Sequence, residues 1–245
     1  MDCEKISNMI FYEKTNFIIR LEIMKKTIFI FLAFYALSFQ VVKSENFYIE
    51  GQLNYTQVDD LDNSGNSTLG NYTFNYNATN KYESDTSYGF EIGAKNISES
   101  NLRVGFSYSK TKIKLKSLSG TGNITDGNNT LDFGVSATRA DLDSIGLTFD
   151  NDVTSYSLNA YYDLDTNSTF TPYVGVGLGE VDIENANDKE LSTSLYLGGR
   201  HSIDDKMYVG IKGAYTMIDG PSDQIGLSYD DITQKSVSLI VGYNF

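Results

Sequence analysis

The chain of 245 residues has no tryptophan, two prolines, one histidine and one cysteine. Cys3 stands alone near the N-terminus, so no internal disulfide can form and no cysteine–histidine metal cluster is available. Scarce proline suits a chain built of many strands, because proline removes a donor from the ladder. Basic residues are also few, 19 against 32 acidic ones, giving a formal charge of −13. Nucleic acid is therefore not an expected partner, since phosphate neutralisation requires clustered lysine and arginine. What the chain does have is 18 tyrosines, 14 phenylalanines and 21 glycines, a strand-and-turn composition.

The only long apolar run lies near the start, in MKKTIFIFLAFYALSFQVVKS from Met24. Lys25 and Lys26 form a positive n-region, Thr27 to Phe39 has the length of an h-region, and Val42 and Ser44 suit a cut before Glu45. The run is too short for a spanning helix. Residues 24–44 thus read as a cleavable signal peptide, and no cysteine follows the cut to carry a lipid anchor. Residues 1–23 hold Asp2, Glu4, Glu13 and Glu22, which no n-region tolerates, and read as an extension upstream of the true start. Removing residues 1–44 leaves 13 basic against 28 acidic side chains.

From Glu45 onward no segment keeps a helical apolar period, and period-two alternation recurs instead. Eight runs show it: 47–56, 88–95, 102–109, 155–162, 173–179, 194–200, 208–215 and 236–245. Soluble sandwiches alternate too, but their polar face sees water and is rich in Lys and Glu. Here that face is mostly Gly, Ser, Asn and Tyr, as a narrow barrel interior requires. The connections alternate in length as well. Short turns fall near residues 98–101, 165–168 and 204–206. Long polar loops fall near 58–85, 115–152, 182–190 and 218–233. Outward aromatics gather at strand ends, with Tyr55, Tyr88, Tyr108, Tyr156 and Tyr215 toward one rim and Phe47, Tyr162, Phe170, Tyr243 and Phe245 toward the other. The expectation is an all-β, antiparallel, up-and-down transmembrane barrel over residues 45–245, with eight strands. Further alternation at Leu131–Ala137 and Ile145–Phe149 is expected to be an extra-membrane extension. Ten strands is the alternative, disfavoured by Asp141, Asp143, Asp150 and Asp152, which would be costly in lipid.

The segment FTPYVGVGLG at 170–179 and the ending SVSLIVGYNF at 236–245 resemble the opacity-protein and surface-antigen family of outer-membrane barrels, a porin-type group related in architecture to OmpA and OmpX. The resemblance spans roughly Glu45 to Phe245. It implies an eight-stranded barrel in the bacterial outer membrane, surrounded by lipid, with a surface role such as adhesion or envelope integrity. The closing Tyr243 and Phe245 resemble the signal read by the barrel-assembly machinery. The loops match nothing in that family that identifies an external ligand.

Candidate chemistry is sparse. Glu50, Glu91, Lys95, Arg103, Arg200 and Lys212 project from the polar faces and are expected to form a paired-charge network filling the interior, because an unpaired buried charge costs several kcal/mol. A charged constriction in a conduction path is the competing reading. His201 has outward parity, which disfavours a Ser–His–acid site and with it enzymatic activity. The acidic clusters Asp59, Asp60, Asp62; Asp141, Asp143; and Asp150, Asp152 match no calcium loop, so no metal and no cofactor is expected. The sequence favours a non-enzymatic surface barrel whose external loops meet the outside, with a narrow channel or porin for small solutes as the alternative. The processing reading has a direct check. N-terminal sequencing of protein from outer membranes is expected to begin within a few residues of Glu45; recovery of residues 1–23 would sink both the start and the cleavage site.

Overall fold

The computed structural model describes residues 46–97, 100–146, 150–222 and 229–245, so the expected signal peptide and its cut lie outside the described residues. The elements are β1 (Phe47–Val58), β2 (Leu61–Leu69), β3 (Tyr72–Glu83), β4 (Asp85–Ala94), β5 (Leu102–Thr125), β6 (Thr130–Thr138), α1 (Arg139–Ser144), β7 (Asp150–Asp163), β8 (Phe170–Ile183), β9 (Glu190–Ser202), β10 (Met207–Ile218) and β11 (Ile232–Asn244). Every strand pair is antiparallel. Following the pairs from β1 through β4, β5, β7, β8, β9, β10 and β11 leads back to β1, which closes an eight-stranded ring. The seam joins the first and last strands from Tyr48↔Asn244 to Val58↔Gln234. At its end the Phe245 N–H donates to the Phe47 carbonyl at 2.9 Å. Closure leaves the ring strands no free edge.

Three strands stand outside the ring, and two of them, β3 and β6, pair β5 directly. This strand is 24 residues long, far beyond the run at 102–109. Its first half pairs β4 and β7, while its second half pairs β3 on one side and β6 on the other, and β2 adds to β3. The stretch expected to be a long loop at 58–85 is thus largely a β-hairpin. Residues 131–137 form β6 against Leu118–Ile124, which makes them an extra-membrane extension, so the ring has eight strands and not ten. Part of the second run, residues 147–149, lies outside the described residues. Between β6 and β7, Thr138 caps α1: its hydroxyl accepts from the Asp141 N–H, and Asp141 accepts from the Thr138 N–H. Arg139 then ties this corner to β7 through two bonds to the Asp150 carboxylate, at 2.9 and 3.1 Å. These bonds are the main reason the Asp150 carboxyl sits below the usual carboxylate range.

The two faces of the ring invert the arrangement of a soluble protein. Leu53, Leu197 and Leu239 point outward and are 57%, 68% and 62% exposed, while Glu50, Glu91 and Arg103 point inward and are at most 1% exposed. Exposed aliphatics alternate with buried charges along strand after strand, which suits lipid outside and a filled core inside. The outward apolar residues of β11 and the Phe245 that follows it run from Val237 to Phe245, nine positions, the length of a tilted membrane strand. At the long-loop rim Tyr108 packs between Phe90 and Tyr156, with ring centroids 5.5 Å from each. Charge begins where this belt stops: Tyr215 of β10 is paired with Lys235, and Tyr156 of β7 with Glu180.

The opposite rim is closed by tight turns that the sequence dictates locally. Asp204 Oδ1 accepts from the backbone N–H groups of Lys206 and Met207, both at 2.7 Å. The Met207 and then the Lys206 donors hold that carboxyl below the ordinary range. Asn167 takes a left-handed conformation (φ 50°), and its N–H bonds Asp165 Oδ1.

Inward residues change character along the barrel axis. Charged and tyrosine side chains fill the end near the short turns, and Ser and Thr line the middle. At the long-loop end Val58, Ile113, Val153, Ile183, Ile218 and Ile232, one from each of six ring strands, form a buried aliphatic cluster. Two neighbouring positions on β5 test the assignment of faces. Phe106 is outward and stacks with Tyr156, whereas Ser107 is inward, 2.7 Å from Ser157 Oγ. Phe106→Arg is expected to cost about 2–4 kcal/mol of folding free energy in a bilayer. Ser107→Lys, opposite Glu91 in the register, is expected to cost less. Urea unfolding in liposomes measures both, and equal costs would contradict the outward placement of Phe106.

Candidate functional site

The densest chemistry in the described residues is the charged layer inside the barrel. Parity along β1, β4, β5, β9 and β10 brings Glu50, Glu91, Arg103, Arg200 and Lys212 to the interior. Arg103 occupies the centre: its Nη1 donates to Glu50 Oε1 at 3.0 Å and lies 3.9 Å from Glu91 Oε1, and its Nε is 3.5 Å from Asp163 Oδ2. Three tyrosine rings surround the guanidinium, with centroids at 5.1 Å (Tyr48), 4.3 Å (Tyr161) and 4.9 Å (Tyr173). Their π faces meet the parts of Arg103 that have no hydrogen-bond partner, among them Nη2.

Glu91 is the most heavily contacted carboxylate. Tyr48 donates to Oε1 at 2.6 Å, and Tyr161 and Asn159 donate to Oε2 at 2.7 and 3.0 Å. Lys212 Nζ stands 3.7 Å from Oε2. Glu50 accepts from Tyr208 at 2.8 Å as well as from Arg103. Arg200 bonds Asp163, and its guanidinium lies 5.1 Å from the centre of the Tyr208 ring. Three carboxylates (Glu50, Glu91, Asp163) therefore face three cations (Arg103, Arg200, Lys212), a neutral interior in an acidic chain. Backbone and side chains are fitted tightly here. A Cβ on Gly105 would come within 2.4 Å of the Tyr48 hydroxyl, and one on Gly242 within 2.1 Å of the Tyr208 ring.

Two features differ from the sequence reading. Lys95 stands at the margin of the layer: β4 ends at Ala94 and the Lys95 N–H bonds the Asn46 carbonyl in the turn, while its half-buried ammonium feels Arg200 and Asp163 without a direct ion pair to either. Asp163 takes part although it was not singled out. It lies two positions past Tyr161 on the same face of β7, so extending that parity by one step would have found it. The interior tyrosines Tyr48, Tyr161, Tyr173 and Tyr208 belong to the same layer and are legible by the same rule.

The remaining candidates are placed elsewhere. His201 is exposed at the short-turn rim, paired with Phe170 and Val209, with Nδ1 3.4 Å from Thr169 Oγ1. Several acidic residues of the long-loop end are engaged by cations, while Asp62 accepts from the Thr79 hydroxyl and Asp141 from Thr138. Lys235 holds Asp59 at 2.6 Å, Lys81 holds Asp60 at 3.0 Å, and Lys110 holds Asp152 at 2.8 Å. Among the described residues no group of three or more His, Cys, Asp or Glu is placed to hold a metal ion. Tyr243 and Phe245 face outward at the end of the seam, their rings 5.3 Å apart and edge-on.

Residues 117–245 match the family model described as the outer membrane protein β-barrel domain. No curated protein matches the chain. Among solved structures the chain is similar to Neisserial surface protein A, at 15% identity over 81% of this chain and 97% of that one, with a TM-score of 0.48. It is similar to OprG from Pseudomonas aeruginosa, at 16% identity over 83% and 97%, with a TM-score of 0.45. It is also similar to the outer membrane protein AlkL, at 15% identity over 84% and 93%, with a TM-score of 0.47.

Interdependence of the layer can be measured. Arg103→Met leaves three buried carboxylates facing two cations and is expected to cost about 3–5 kcal/mol. Adding Glu91→Gln removes one of those carboxylates and is expected to recover part of the loss. A double-mutant cycle by urea unfolding reads the coupling, and strictly additive losses would show that the two residues do not act together.

Proposed function

This chain belongs to the outer membrane protein β-barrel family, and we propose that within it the protein is a non-enzymatic, non-conducting surface barrel whose external sheet is its point of contact with the outside. The observation that carries this reading is the extension of β5. From Lys110 to Thr125 the strand runs about 50 Å beyond the aromatic rim, at roughly 3.3 Å per residue. It holds β2, β3 and β6 in a sheet outside the ring. At one edge of that sheet β6 pairs only β5 among the described residues, and its Leu131, Phe133 and Val135 are exposed. Asp132 is the single charge along this edge, which carries no lysine or proline of the kind that commonly blunts an edge strand. An apolar strand with a row of free backbone donors and acceptors is suited to bind an extended segment or an apolar surface.

Two features of the interior support the rest of the proposal. Arg103, Glu50, Glu91, Tyr48, Tyr161 and Tyr173 are each about 1% exposed or less, which fits a plug better than a water-filled path. A hydrolytic centre would need its histidine within reach of a nucleophile and an acid. His201 faces outward at the opposite end from the external sheet.

The reading is tested with the purified barrel in lipid nanodiscs, presented to cells, matrix proteins and apolar surfaces. The doubly substituted L131K/F133K protein is expected to bind at least tenfold more weakly than the parent to whichever surface captures it, with thermal unfolding unchanged. Shortening the segment after β8 by residues 187–189 is expected to leave binding intact. Planar-bilayer recordings are expected to show no sustained openings; large, stable conductance would instead favour a solute channel.

A further inference from the structure

We propose that the external mouth of the barrel is a binding site for a small, neutral amphiphile, seated with its apolar body on the aliphatic cluster and its hydrogen-bonding end among asparagines. A cavity of about 400 Å³ opens above that cluster, bounded by the β2–β3 hairpin, by residues 184–186 after β8 and by Pro221, Ser222 and Tyr229. This volume lies within the range of small-molecule sites, which are mostly apolar with a few placed polar groups. Its inner wall is Val58, Ile113, Ile183 and Ile232, with Tyr82 beside them. Water held against such a wall lacks the two to four polar partners that keep buried water in place.

The polar groups elsewhere in the lining are mostly carboxamides, joined by the hydroxyls of Ser222 and Tyr229 and by one carboxylate. Asn63, Asn80, Asn151 and Asn185 bring carboxamides, which both donate and accept, and Asn185 already bonds Asn151 at 3.1 Å. No described lining residue is cationic. The single carboxylate, Glu184, accepts from the Asp152 N–H at 3.0 Å. An anionic head would therefore meet Glu184 with no counter-charge, while a hydroxyl or an amide would find partners. Below the cavity lie the hydroxyl-lined middle and then the Arg103 layer. The site therefore retains a ligand and does not pass it inward.

The absence of tryptophan makes the test clean. Tyr82→Trp places the only indole in the cavity wall, and Leu197→Trp, in a separate protein, places one on the lipid face as a measure of partitioning. In nanodiscs 4-bromophenol is expected to quench the cavity indole saturably, at concentrations at least tenfold below those that quench the lipid-facing indole. Adding Ala186→Phe to the Tyr82→Trp protein, or Leu118→Phe should the first variant misfold, is expected to raise the half-quenching concentration at least tenfold. The 4-bromobenzoate anion is expected to bind at least tenfold more weakly than the phenol. Quenching that is linear and alike at both indoles, or indifferent to the filling substitutions, would overturn the site. Equal affinity for the anion would overturn the neutral-head assignment.

Discussion

The barrel depends on the neutralisation of Glu91. A carboxylate with no exposure to water is tolerated only if its charge and lone pairs are satisfied, and here two tyrosine hydroxyls, an asparagine amide, Arg103 and Lys212 surround it. Those partners come from β1, β5, β7 and β10, so a single carboxylate on β4 links five of the eight ring strands across the interior. Glu50 and Asp163 repeat the arrangement on either side of Arg103. The layer needs large side chains to reach across the axis, and these force glycine at facing positions such as Gly105 and Gly242. Interior composition therefore follows from space: a small cross-section admits a few large polar groups only where their neighbours have no side chain.

The outer face is governed by the complementary constraint. Lipid offers the backbone no hydrogen bonds, so the ring must close, and the seam between β1 and β11 supplies that closure. The same demand ends at the aromatic rim. Beyond it the protein is free to form an open sheet, and β2, β3 and β6 are arranged in that way. The change of solvent along β5 is visible in its own outward residues, which pass from Val104, Phe106 and Tyr108 to Lys110 and Lys112.

Parity made most of this legible in the sequence. The eight ring strands, the direction of each side chain, the short turns at one rim and the extra-membrane position of Leu131–Ala137 all follow from alternation and connection length. Parts whose signal is weak or distant were not legible. The β2 segment, LDNSGNSTL, has almost no apolar alternation, because beyond Leu61 its inward positions are polar as well, and so it reads as a loop. Asp163 escaped because its strand was ended one residue too early. The aliphatic cluster escaped for the same reason at the other end: Val58, Ile113 and Val153 lie on the face that is polar elsewhere, past the points where their runs were stopped. Lys95, one residue past the end of the β4 ladder, still lies close enough to feel Asp163 and Arg200, but beyond the ladder parity does not fix a direct ion pair.

The continuity of β5 also has a mechanical consequence. A pull on the external sheet, as from a moving cell or flowing fluid, reaches the wall of the barrel along the unbroken axis of β5, beside the short links from β1 to β2 and from β3 to β4. There β5 is bonded to β4 and β7 on its two sides, with ladders parallel to the pull. Bonds loaded in that direction share the strain together, whereas bonds loaded across a ladder open one at a time like a zip. Tension on the tip is thus spread over both neighbours of β5, and the protein is built as an anchor whose weakest point lies in the external sheet and not in the membrane.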